Sequence, residues 1–120
     1  MKFNFKKVTT LAIALFAISS IKAQSAEITD SVLVNGNCGM CKSAIEKSAK
    51  EAGASYASWD KKTKVLNLKF DPASTSQEQI EKKVAARGYD TQNFKATDEA
   101  YEKLSACCHY DRKSTIFEKQ

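Results

Sequence analysis

Hydrophobic and polar positions change period several times along the chain, and each change marks an element. Ile28, Val32, Leu33 and Val34 make an apolar, β-branched run that predicts a first strand, punctuated by Asn35-Gly36-Asn37. From Cys41 the period lengthens. Ala44, Ile45, Ser48, Ala49 and Ala52 fall on one face of a helix, with Lys42, Glu46, Lys47 and Lys50 on the other and Gly53 at its end. Residues 54–60, with Tyr56, Ala57 and Trp59, predict a second strand. Lys61-Lys62-Thr63 is a polar turn, and the next run alternates with Leu66, Leu68 and Phe70 on the buried side, completing a hairpin. Asp71-Pro72 ends that strand. Thr75 with Glu78 fits a capping box ahead of a second helix over 76–87, where Ile80 and Val84 face inward and Gly88 stops the helix. Residues 89–96 predict a short fourth strand. Residues 98–106 predict a last helix with Tyr101 and Leu104 on one side.

The order strand, helix, strand, strand, helix, strand places a hairpin between two crossover helices. That is the split βαβ, ferredoxin-like arrangement of the α+β class: one antiparallel sheet with both helices on one face, here with a short C-terminal helical extension. The chain has no internal repeat and no low-complexity stretch.

Charge first points elsewhere. With 19 Lys+Arg against 14 Asp+Glu, the 120-residue chain carries +5, which suggests an anionic partner. Residues 1–24, however, hold Lys2, Lys6, Lys7 and Lys22 and no acid, so the remainder is nearly neutral. Nucleic acid is therefore not expected as a partner. The same residues read as a secretory leader: a lysine-bearing start, an apolar run over 11–18, then small residues including Ser19, Ser20 and Ala23. The run is shorter than the ~20 residues needed to span a bilayer, so no membrane association is expected after cleavage. The expected layout is a signal peptide over 1–24, a domain over 27–97 and an extension over 98–120, in a protein of the bacterial periplasm.

Export bears on the cysteines. Cys38 and Cys41 form C-x-x-C, whereas Cys107 and Cys108 are adjacent and can bond each other only through a strained ring. Cys38 lies in the loop leaving the first strand and Cys41 at the start of the first helix, where the helix N-terminus favours a thiolate. Paired thiolates suit a soft ion: Cu(I) first, with Hg(II) or Zn(II) as alternatives. Gly36 and Gly39 would let the loop wrap the ion closely. A thiol-disulfide redox or redox-sensing role is the alternative reading of the same pair. No Ser-His-Asp set, paired acid or phosphate loop is present, so an enzyme is not expected.

Val32 to Cys41, read with Ala44-Ile45-Glu46-Lys47, Trp59-Asp60, Phe70-Asp71-Pro72 and Arg87-Gly88-Tyr89-Asp90, resembles the heavy-metal-associated domain of copper chaperones, copper-pumping ATPases and periplasmic mercury-binding proteins. The resemblance implies that Cys38 and Cys41 bind the ion and pass it on by thiolate exchange. It implies a metal-transport ATPase or efflux component as partner, and a monomer or metal-bridged dimer. It also implies that Tyr89 sits near the metal. Where that family has a methionine ahead of the first cysteine, this chain has Gly36-Asn37. Its Met40 lies between the cysteines instead, as a packing residue or a thioether ligand. Cys107, Cys108 and His109 are outside the family pattern. They could share the ion of Cys38 and Cys41, form a second site or form disulfides.

Overall fold

The computed structural model describes residues 26–112; the leader expected over 1–24 and the last residues of the tail lie outside them. β1 (Ile28–Leu33), β2 (Tyr56–Trp59) and β3 (Val65–Phe70) form an antiparallel sheet in the order β1-β3-β2. Val32 stands opposite Leu66, and Ala57 opposite Leu68. The alternation of β3 is realised as expected: Leu66, Leu68 and Phe70 are buried, while Asn67 and Lys69 are exposed. The turn before β3 is held by the Asp60 carboxylate, which accepts from the amides of Lys62 and Thr63 at 2.8 Å.

Two helices cover the apolar face. α1 (Gly39–Glu51) buries Cys41, Ile45, Ser48 and Ala49 and packs against α2 (Gln77–Arg87) and β2. α2 contributes Ile80 and Val84 to the same core as Val32, Val34 and Trp59. Trp59 is tied in by its indole N–H, which donates to the Val34 carbonyl at 2.9 Å. Among the described residues no helix is long and apolar enough to cross a membrane.

Three local expectations change. The cap of α2 is Ser76, whose hydroxyl accepts from Gln79 N–H at 3.1 Å. Thr75 instead donates to the Ala52 carbonyl at the end of α1, and Glu78 pairs with Lys82, so the predicted Thr75–Glu78 box does not form. The fourth strand shrinks to a single bridge between Val34 and Thr91. Side chains compete for its backbone: Asp90 accepts from Ala96 N–H, and Thr91 and Phe94 close a tight turn on each other. Glu81, a carboxylate buried in α2, holds the same loop by accepting from Asn93 at 2.9–3.1 Å. Finally, the last helix is short. α3 (Asp98–Glu102) is followed by a separate 3-10 turn over Ala106–Cys108.

Candidate metal centre

Cys38 is the extended N-cap residue of α1, and Cys41 lies one turn in. The approach is tight. A Cβ on Gly36 would stand 3.1 Å from the Trp59 ring and 3.2 Å from Cys41 Cβ, so a side chain there would have to push the buried ring or Cys41 aside. Gly39 has open space around it. Lys42, on the polar face of α1, does more than meet solvent. It bonds Glu46 and the Trp59 carbonyl at 3.0 Å, while Glu46 accepts from Trp59 N–H at 2.9 Å, pinning the start of α1 to the end of β2.

The extension returns to this loop. Cys38 Sγ lies 3.2 Å from Cys41 Sγ, 3.5 Å from Cys108 Sγ and 3.7 Å from Cys107 Sγ. The sulfurs of Cys38, Cys41 and Cys108 all fall within 4.8 Å of one another, and all four cysteines are free thiols. Cys41 and Cys108 are buried, Cys38 half-buried and Cys107 exposed. An ion about 2.3 Å from each sulfur spaces two linear ligands roughly 4.6 Å apart and three trigonal ligands roughly 4.0 Å apart. The observed gaps lie nearer the three-ligand arrangement, and small rotations of the side chains supply the difference.

The electrostatics divide the thiols. Burial works against ionising Cys38, but the polarity of the Cys41 amide and the thiols of Cys41, Cys108 and Cys107 outweigh it and bring the group down to about 7. Burial, reinforced by Cys41, pushes the Cys108 thiol up. Tyr89 is 1% exposed, and burial together with the neighbouring Cys108 and Cys41 raises its phenol, which stays a neutral group beside the sulfurs. Asn37 Oδ1 accepts from Cys41 Sγ at 3.2 Å. Thiols become ligands to a soft cation as thiolates, so metal binding at such a set is coupled to loss of the protons they still carry. This cysteine cluster can hold a metal ion.

No protein-family model matches the sequence, and no curated protein matches it either. Solved structures do. Oxidized MerP from Ralstonia metallidurans CH34 is 28% identical with a TM-score of 0.52, over 55% of this chain and 94% of that one. A candidate copper-ion-binding protein from Bacillus anthracis str. Ames is 26% identical with a TM-score of 0.52, over 56% of this chain and 97% of that one. The water-soluble region of the P-type ATPase CopA from Bacillus subtilis is 30% identical with a TM-score of 0.51, over 56% of this chain and 46% of that one. The chain carries a heavy-metal-associated-like domain.

In this heavy-metal-associated-like domain, what brings Cys108 home is the extension's own lock. Arg112 reaches both oxygens of Asp90 at 2.9 Å, Asp98 at 2.8 Å and the Ala96 carbonyl at 2.7 Å. Tyr110, 3% exposed, accepts from Asp90 N–H and donates to the Gly88 carbonyl, both at 2.8 Å. Tyr101 donates to the Tyr110 carbonyl at 2.7 Å. Gly88, at φ 121, leaves no room for a side chain: a Cβ would stand 2.7 Å from the Ala100 carbonyl.

The remaining sequence-predicted residues separate. Met40 is 58% exposed, with its sulfur 3.3 Å from Cys107 Sγ, so it faces the thiols rather than the core. His109 is exposed and stacks on Tyr101 at 5.1 Å, outside the three-sulfur group. Sequence reasoning missed Asn37, Asp90, Tyr110 and Arg112. Only the Cys-Cys-His-Tyr run hinted that the extension had work beyond solvation.

Proposed function

We propose that the protein binds a soft metal ion, Cu(I) foremost, as a metallochaperone or scavenger of the periplasm, and hands it on by thiolate exchange. The observation that carries this reading is the convergence of Cys38, Cys41 and Cys108 within 4.8 Å, from two separate parts of the chain. A structural role explains it poorly, because three free thiols packed together gain little unless something binds them. The likeness to a candidate copper-ion-binding protein supports copper, and the likeness to part of the CopA ATPase supports a metal-transport ATPase or efflux component as partner. In this reading Cys38, Cys41 and Cys108 are the ligands, Tyr89 stands beside them, and the protein is a carrier rather than a catalyst. Hg(II) and Zn(II) are the competing ions.

Anaerobic titration of the reduced protein with Cu(I) against a competing chelator tests the reading. Tight 1:1 binding, lost in Cys38→Ser and weakened in Cys41→Ser, is the expected result; absence of binding sinks it. The Cys38 thiol near 7 also favours a thiol-disulfide role. Reduction of insulin by a protein without metal affinity would select that second reading.

A further inference from the structure

The four cysteines do not make one ring of ligands. Cys38, Cys41 and Cys108 form an inner triangle, and its two buried members, Cys41 and Cys108, are 0% and 3% exposed. Cys38, Cys107 and Cys108 form a second triangle, with edges of 3.7, 3.5 and 3.8 Å. The two share the Cys38–Cys108 edge. The outer triangle is the accessible one: Cys107 is exposed, and its sulfur lies 3.3 Å from that of Met40, itself 58% exposed.

We propose that these are two seats for a single soft monovalent ion, and that Cys107 with Met40 forms the entry and exit station of the inner site. The proposal rests on the metal-binding reading given above and adds a path to it. An ion arriving from solvent or from a partner's thiolates meets Met40 and Cys107 first, because they are the exposed sulfurs of the group. It settles between Cys107, Cys38 and Cys108 as its bonds to water or to the donor's thiolates break, and the protons that these three thiols still carry pass to solvent or to the freed donor thiolates. Cys41 then bonds to the ion as its thiol gives up a proton. The ion–Cys107 bond breaks, and the Cys107 sulfur takes a proton from water. In this move between seats the ion returns to three sulfur bonds and keeps its oxidation state, and the proton given up by Cys41 is balanced by the one that Cys107 takes up. Cys38 and Cys108 never let go, so the transfer replaces one ligand at a time and avoids a bare ion. Release to an acceptor runs the same exchange in reverse.

Placement explains why the pair is adjacent in sequence. Within the 3-10 turn, Cys108 points into the core cluster and Cys107 points outward. One short turn thereby supplies both the shared ligand and the exchangeable one.

The test is stopped-flow transfer of Cu(I) from its coloured complex with bicinchoninic acid to the reduced full chain, read with the equilibrium affinity. The full chain is expected to take one ion. Cys107→Ser should take one ion with affinity changed by no more than about threefold, but load about tenfold more slowly, equivalent to ~1.4 kcal/mol of barrier. Met40→Leu should slow loading in the same direction, by about threefold. Cys41→Ser should load at the unmodified rate yet lose at least about tenfold in affinity, since only the outer seat remains. Normal loading of Cys107→Ser overturns the relay while leaving the metal-binding reading standing. Equal affinity losses in Cys107→Ser and Cys41→Ser would mean one four-sulfur seat, and two ions per chain would mean a cluster; either also overturns it. If the unmodified chain takes no Cu(I), both readings fail together.

Discussion

Single positions carry more of this site than their chemistry suggests. Gly88 bears no ligand, yet it combines a left-handed φ of 121 with a 2.7 Å approach to the Ala100 carbonyl. Gly88→Ala is expected to cost about 2–3 kcal/mol, since backbone strain of 1–2 kcal/mol adds to displacement of α3. Urea unfolding would show the loss as a lower midpoint, and Cu(I) affinity should fall with it because Cys108 arrives on the displaced segment. Glu46 is a second such position. Burial alone would raise its carboxyl. The hydrogen bonds from Lys42 and from Trp59 N–H, with the Lys42 charge, outweigh that and hold it below the ordinary range. A carboxyl lowered in the folded state stabilises above its unfolded value, about 4.3, and that contribution is lost as pH falls through the folded value. Thermal stability should therefore drop on acidification below about pH 4.5, and Glu46→Gln should flatten the drop while costing about 1 kcal/mol at neutral pH. An unchanged acid limb in Glu46→Gln would contradict the assignment.

The elements differ in how they were legible. The hairpin, α1 and α2 follow from local period and turn chemistry, and the placement of C-x-x-C at a helix start follows with them. The fourth strand was misleading because its apolar pattern is short, and the side chains of Asp90, Thr91 and Glu81 take its polar groups into loop contacts. The extension was legible only as a short helix with an unexplained Cys-Cys-His. Its docking depends on pairs far apart in sequence, Arg112 with Asp90 and Tyr110 with Gly88, which no periodicity encodes. The extension should behave as part of the domain. Tyr110→Phe leaves Asp90 N–H and the Gly88 carbonyl without their partner, at a cost of about 1–3 kcal/mol. Arg112→Ala removes a bidentate pair on a buried carboxylate and should loosen Cys108 further. Hydrogen exchange in either variant should speed up over residues 98–112 while the amides of β3 stay protected. Uniform acceleration across the sheet would mean that the extension and the sheet unfold as one unit.

For the molecule as a whole, the ferredoxin-like frame supplies the loop and helix start, and the extension supplies what the frame lacks. Two cysteines on a helix start suit a linear ion; under the proposed function, adding Cys108 makes a three-sulfur seat with one side buried. His109 abuts Cys108 in sequence, but the turn that sends Cys108 inward leaves the imidazole on Tyr101. X-ray absorption on the 1:1 Cu(I) complex tests the coordination directly. Three sulfur ligands per copper are expected in the full chain, still three in Cys107→Ser, and two in Cys108→Ser. Two sulfurs in the unmodified protein, or a nitrogen ligand from His109, would contradict the assignment.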